Sequence, residues 1–163
     1  MEITKKVVLM GQFGVGKSSI TRRYLLDIFE TDYMPTLGVQ IKKKVLEMPN
    51  GKLLSMIIWD LEGFSSVAGT RASYLLGSNG FVYVFDVSRP FTYDSIDQEF
   101  AFIKNKYPQV SLRIVGNKKD LGHTETAEAH LKKLGVPLHG LISAKTGEGV
   151  KELFTDLANS ITT

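Results

Sequence analysis

The sequence predicts an α/β fold, a mostly parallel sheet covered by helices. Three observations carry this. Short apolar runs alternate with amphipathic stretches along the chain. Phe81 to Val87 and Leu112 to Val115 are continuously apolar, the mark of strands buried on both faces. Between the first apolar run and the first amphipathic stretch lies a glycine-rich turn, Gly11 to Gly16.

Taken in order, Val7 to Met10 reads as a first buried strand, and a helix starts near Lys17 and ends near Ile28 or Phe29. A polar, proline-containing loop runs from Glu30 to Leu37. Val39 to Met48 and Leu53 to Trp59 read as two strands joined by Pro49-Asn50-Gly51, where Asn-Gly signals a hairpin. Phe81 to Val87, Leu112 to Val115 and Leu138 to Ile142 supply the remaining strands. Helices are expected over Ser66 to Leu76, Asp94 to Lys106, Glu125 to Leu134 and Val150 to Ile161. Gly135 and then Pro137 end the fourth helix. No repeat, linker or low-complexity tract interrupts the pattern, so residues 1–163 read as one domain.

Composition narrows the class. There is no cysteine, which excludes a disulfide scaffold and a thiolate metal site and suits an intracellular, cytoplasmic protein. Met1 to Lys6 leads into a strand without a signal-peptide layout, and no apolar run approaches the ~18 residues that span a bilayer. The net charge of +3 suggests at most weak attraction to anionic surfaces, and no nucleic-acid partner is expected. Lys42, Lys43 and Lys44 read as a solvated strand face.

Gly11-Gln12-Phe13-Gly14-Val15-Gly16-Lys17-Ser18 matches G-x-x-x-x-G-K-[ST] between an expected strand and an expected helix. Glycines there let successive N–H groups turn inward around a phosphate, and the helix N-terminus adds positive potential. Lys17 would neutralise β- and γ-phosphates and Ser18 would ligate Mg²⁺. This motif alone does not separate GTP from ATP.

The base is addressed further on. Asn117-Lys118-Lys119-Asp120 and Ser143-Ala144-Lys145 each follow a strand at the sheet's carboxyl edge, where open α/β sheets bind ligands. Asp120 can accept from guanine N1–H and the 2-amino group, donors that adenine lacks in that arrangement. A buried carboxylate left unpaired would reject adenine by roughly 10⁴–10⁵-fold. The Ala144 N–H could donate to guanine O6. In Asp60-Leu61-Glu62-Gly63, Asp60 would hold Mg²⁺ through water and the Gly63 N–H would reach the γ-phosphate. Thr36 could supply a further Mg²⁺ ligand, and Phe29 could lie against the purine.

These pieces, in this order, resemble the Ras superfamily of small GTPases over essentially the whole chain. The closest likeness within it is to the Rab branch, through Tyr33-Met34-Pro35-Thr36-Leu37-Gly38-Val39, Trp59-Asp60 and Ser143-Ala144-Lys145-Thr146-Gly147. The resemblance implies a P-loop G domain: a six-stranded sheet with one antiparallel strand and five helices. It implies GTP/GDP and Mg²⁺ as cofactors. The nucleotide would be held by Phe13, Gly14, Val15, Gly16, Lys17, Ser18, Ser19, Phe29, Tyr33, Thr36, Asp60, Gly63, Asn117, Lys118, Asp120, Ser143, Ala144 and Lys145. Ser18, Thr36 and Asp60 would serve the metal, and Lys17, Thr36 and Gly63 catalysis. Effector, exchange-factor and GTPase-activating partners would meet switch segments 30–39 and 60–74, effectors through Ile41, Trp59 and Tyr74.

The chain also departs from the family. Phe64 stands where the family's water-orienting glutamine follows Gly63, Phe13 occupies a loop position usually small, and Glu62 replaces a small residue. Each change points to slow hydrolysis or an unusual arrangement, with Glu62 or Arg71 as substitute catalytic groups. The carboxyl end, Asn159 to Thr163, carries no prenylatable cysteine, so no intrinsic lipid anchor is expected. Three functions follow from this reading. One is a slow GTPase switch and another a GTP-binding module with negligible turnover. The third, a P-loop kinase, is disfavoured by the guanine signature.

Overall fold

The computed structural model describes residues 2–29, 38–61, 63 and 66–163. In chain order the elements are β1 (Glu2–Met10), α1 (Lys17–Leu26), β2 (Val39–Glu47), β3 (Leu53–Leu61), α2 (Ala72–Leu75), β4 (Gly80–Asp86), α3 (Ile96–Lys106), β5 (Ser111–Asn117), α4 (Thr124–Leu134), β6 (Gly140–Leu141) and α5 (Val150–Ile161). The six strands form one sheet in the order β2-β3-β1-β4-β5-β6. Among the described residues only the β2–β3 pair is antiparallel.

Strand alternation builds two cores. Val7 and Leu9 of β1 enter one apolar cluster with Ile20 of α1 and Phe154 and Leu157 of α5. Val8 and Met10 enter the other, with Leu75, Ile96, Ile103 and Leu131 from α2, α3 and α4. β4 is buried at every position, as its unbroken apolar run requires. Tyr24 stacks on Phe154 with ring centroids 4.0 Å apart, fixing α1 on α5.

Chain order explains where the site lies. β1 is flanked by β3 on one side and β4 on the other, so the chain crosses over β1 between them. A crevice opens at such a reversal beyond the strand carboxyl ends, and the loop after β1 occupies it.

Several boundaries differ from the sequence reading. β1 starts at Glu2 rather than Val7, because its polar half pairs with β3 from Glu2↔Leu53 onward. Lys6 is accommodated there by donating to the Leu76 carbonyl and by lying 3.7 Å from the Trp59 ring centroid. α1 ends at Leu26, with Asp27 left-handed as its cap, so Phe29 lies beyond the helix. The helix expected over Ser66 to Leu76 shrinks to Ala72–Leu75. Ser66 instead starts a turn that accepts Gly69 N–H, and Arg71 is extended at ψ 123°. β6 contracts to two residues. Beside it the His139 ring replaces a ladder carbonyl by accepting Ile114 N–H at 2.9 Å. The hairpin forms, but Asn50 does not have a positive φ. Gly51 does, at 80°, which makes a longer turn than a two-residue type I′ loop.

Candidate nucleotide site

The phosphate loop is shaped by close packing. Gly16, at φ 103°, caps α1 without a side chain, and a Cβ there would lie 2.2 Å from Asn117 Nδ2. Lys17 is 6% exposed, and its ammonium donates to the carbonyls of Gly11 at 3.0 Å and Gln12 at 3.1 Å. Burial pulls its pKa down to about 8, against the pull of Asp60 the other way. A cation costly to bury and held in a glycine-lined turn is suited to an anion.

Asp60, from the end of β3, meets this loop. Its Oδ2 accepts the Ser18 hydroxyl. It is 2% exposed, and Oδ1 has no hydrogen-bond partner among the described residues. Burial pushes its carboxyl pKa up, with Ser18, Lys17 and Arg22 opposing. An orphaned carboxylate oxygen beside a serine hydroxyl is a donor set that fits a hard divalent cation such as Mg²⁺. A cavity of about 330 Å³ opens beside this pair, between α1 and the Gln40 and Lys42 positions of β2.

Gly63 packs directly on the phosphate loop, since a Cβ there would lie 2.5 Å from both N and Cα of Phe13. Phe13 itself is 54% exposed. Ser19 is half-buried in the first turn of α1, and Phe29 is half-buried beyond its end. Tyr33, Thr36, Glu62 and Phe64 lie outside the described residues. Arg71 is exposed, its guanidinium 5.8 Å from the Tyr74 ring centroid.

The base segments are stitched to each other and to that loop. Asn117 Nδ2 donates to the Val15 carbonyl at 2.9 Å, and Asn117 Oδ1 accepts Ala144 N–H at 3.1 Å. The Ala144 N–H that sequence reading aimed at guanine O6 is thus already bonded to Asn117. Ser143, fully buried, donates to Asp120 Oδ1 at 2.7 Å and accepts Thr146 N–H at 3.1 Å. Asp120 is exposed, whereas the sequence reading treats the carboxylate as buried against a bound base. Lys118 is left-handed at φ 68°, and its ammonium pairs with buried Asp86 at 2.8 Å. Lys145 is exposed, and its carbonyl is gripped by Arg23.

Sequence reading missed that arginine. Arg23, on α1, also donates to the Ala144 carbonyl at 2.8 Å, bracing the base loop from the helix that begins at Lys17. Nothing local marks it, because an arginine on an exposed-looking helix face has no periodic signature. Glu99 of α3 was missed likewise. It accepts Val67 N–H at 2.7 Å, tying the segment after Gly63 to α3. The surface trio does come together: Ile41 pairs with Trp59 across β2 and β3, and Trp59 and Tyr74 have centroids 6.3 Å apart.

The model of the Ras family matches residues 6–163, nearly the whole chain. The chain belongs to the Ras family. Its relatives place this Ras-family protein in the Rab branch. It is 32% identical to the Ras-related protein SEC4 of Saccharomyces cerevisiae, over 96% of this chain and 74% of that protein. The GTP-binding protein YPTM2 of Zea mays is 33% identical, over 96% of this chain and 79% of its own. The Ras-related protein Rab-18 of Lymnaea stagnalis is 32% identical, with 97% and 80% covered. The six-stranded sheet with one antiparallel strand and five α-helices is the G-domain fold expected of a small GTPase. Among the described residues of this Ras-family chain no helix is long and apolar enough to cross a membrane.

Proposed function

We propose that this small GTPase is a switch that binds GTP and GDP with Mg²⁺ and hydrolyses GTP slowly. The observation that carries the reading is the double engagement of Asn117 with Val15 and Ala144, which joins the phosphate loop to both base segments. Lys17 neutralises charge on the β- and γ-phosphates, and N–H groups of residues 13–18 cradle them. Asp120 reads the guanine edge, with Ser143 holding the carboxylate in place. Ser18, Asp60 and Thr36 would hold Mg²⁺, which when bound offsets negative charge on the phosphates. Gly63 N–H senses the γ-phosphate.

Hydrolysis needs a group that orients water, and the phenyl ring of Phe64 neither donates nor accepts a hydrogen bond. Intrinsic turnover is therefore set at or below roughly 10⁻⁴ s⁻¹. Exposed Phe13 stands against Gly63, where it obstructs an arginine supplied by a partner. Segments 30–39 and 60–74 are the surfaces for effectors and regulators, and Tyr74 with the adjoining Ile41 and Trp59 of β2 and β3 forms the apolar contact patch.

Single-turnover hydrolysis of bound GTP tests this. Phe64→Gln should raise the rate, and adding Phe13→Gly should increase the response to an arginine supplied in trans. If Glu62 or Arg71 already substitutes for glutamine, Glu62→Ala or Arg71→Ala abolishes turnover and Phe64→Gln changes little. Fast hydrolysis by the unaltered chain, insensitive to both alanine variants, would refute the slow-switch reading. No turnover in any variant leaves a GTP-binding module.

A further inference from the structure

An arginine outside every nucleotide motif also reaches the phosphate loop. Arg89 follows β4, and its Nη2 donates to the Phe13 carbonyl at 2.8 Å. Nη1 lies 3.6 Å from Asp86 Oδ2, and the guanidinium sits 4.8 Å from the Phe91 ring centroid. Gln12 ties the same two segments by donating to the Phe91 carbonyl at 3.0 Å. Asp86 is fully buried, and its Oδ1 accepts the N–H of Ser88 at 2.9 Å and its hydroxyl at 2.6 Å. The same carboxylate pairs with Lys118 at 2.8 Å. One buried acid thus anchors two cations, one reaching the phosphate loop and one belonging to the base motif.

We infer that Arg89 is a positioning residue that aims and polarises the Gly14 N–H toward bound phosphate. A trans peptide is planar, with C=O and N–H on opposite sides. The carbonyl that Arg89 grips belongs to the Phe13–Gly14 peptide, so the N–H directed away from Arg89 is that of Gly14. Guanidinium and glycine are in direct contact, since a Cβ on Gly14 would lie 2.7 Å from Arg89 Nη1. A cation bonded to the carbonyl draws electron density from the amide and makes its N–H a stronger donor. A donor aimed in advance needs no reorganisation when negative charge grows on a phosphate oxygen. Lysine cannot serve equally, because one ammonium lacks the planar fork that spans Asp86 and Phe13 together. Arg89 touches no phosphate in this role; it acts through the peptide.

This inference rests on the nucleotide reading above, and the experiment separates the two. The ¹⁵N-labelled protein is loaded with GDP, and the Gly14 amide shift and GDP release rate are measured for wild type, Arg89→Ala and Arg89→Lys. Arg89→Ala should move the Gly14 amide proton upfield, leave amides of α5 in place, and speed GDP release roughly tenfold, the scale of one charge-assisted hydrogen bond. Arg89→Lys should recover part of both effects. An unmoved Gly14 amide with unchanged release, in a protein that holds GDP, overturns the role of Arg89 alone. If wild type holds no guanine nucleotide, the nucleotide reading falls and this inference with it. Should Arg89→Ala fail to fold, Arg89→Gln removes the charge while keeping an N–H donor, and an unmoved Gly14 amide there is equally decisive against it.

Discussion

Asn117 Nδ2 donates to the carbonyl of Val15 at 2.9 Å, across 102 residues of sequence. With Oδ1 on Ala144 N–H, one amide side chain joins the loop after β1, the end of β5 and the loop after β6. Asn117 is 2% exposed, so neither partner has water to fall back on.

Asn117→Ala should therefore cost roughly 2–4 kcal/mol, the price of two buried groups left unpaired. Urea unfolding of the nucleotide-free protein measures it. Asn117→Asp keeps an acceptor for Ala144 but sets a carboxylate oxygen against the Val15 carbonyl, so it should also be destabilised. A near-neutral result for either would mean that the bridge contributes little.

Asp120→Asn should leave the fold within about 0.5 kcal/mol, since the residue is exposed and the amide oxygen can still accept the Ser143 hydroxyl. Guanine nucleotide affinity should fall sharply while xanthine nucleotides bind, because an amide donates to the 2-oxo group that replaces the 2-amino group. Competition titrations with GTP and XTP decide the matter, and equal loss of both would remove Asp120 as the base reader.

Glu99→Ala leaves the Val67 N–H without its acceptor, in a segment whose Val67 side chain is buried. The Val67 amide should then exchange with deuterium roughly 5–30-fold faster, consistent with losing roughly 1–2 kcal/mol locally. Glu99→Gln retains an oxygen acceptor and should exchange close to the wild-type rate. Unchanged exchange in Glu99→Ala would show that the contact does not restrain the segment.

Stability should also fall in mild acid through His139. Its ring accepts Ile114 N–H through Nδ1, which a protonated ring cannot do. Burial lowers its pKa below 6.5, Arg113 and Lys104 add to the lowering, and Asp156 opposes it. The unfolded chain then binds the proton more readily, so this contribution is present above pH ~6.5 and is lost as pH falls through the folded-state value. Thermal unfolding between pH 7.5 and about 5 should show a loss that shrinks in His139→Ala. A pH dependence identical in that variant would assign the effect to other groups.

Much of this protein is legible in its sequence. Alternating apolar runs determine the class, because burial on both faces demands it of β4 and β5. The segments 11–18, 117–120 and 143–145 stand out as motifs because each is a run of adjacent residues with local turn geometry, and Asn117 bonds to both of the others. The family likeness rested on their joint order, and the family match agrees with it.

What only tertiary structure decided involves partners far apart in sequence. The charged residues Glu2, Lys5 and Lys6 are strand because β3 lies beside them. The helix expected from Ser66 shrank because Ser66 capped a turn and Glu99 captured the Val67 amide. Arg23, Asp86, Arg89 and Glu99 acquire roles only when folding sets a charged side chain against another segment's backbone or a buried acid. Hydrogen bonds and ion pairs act over a few ångströms in space and leave no period along the chain, whereas apolar burial repeats with each strand and helix and is written in the sequence.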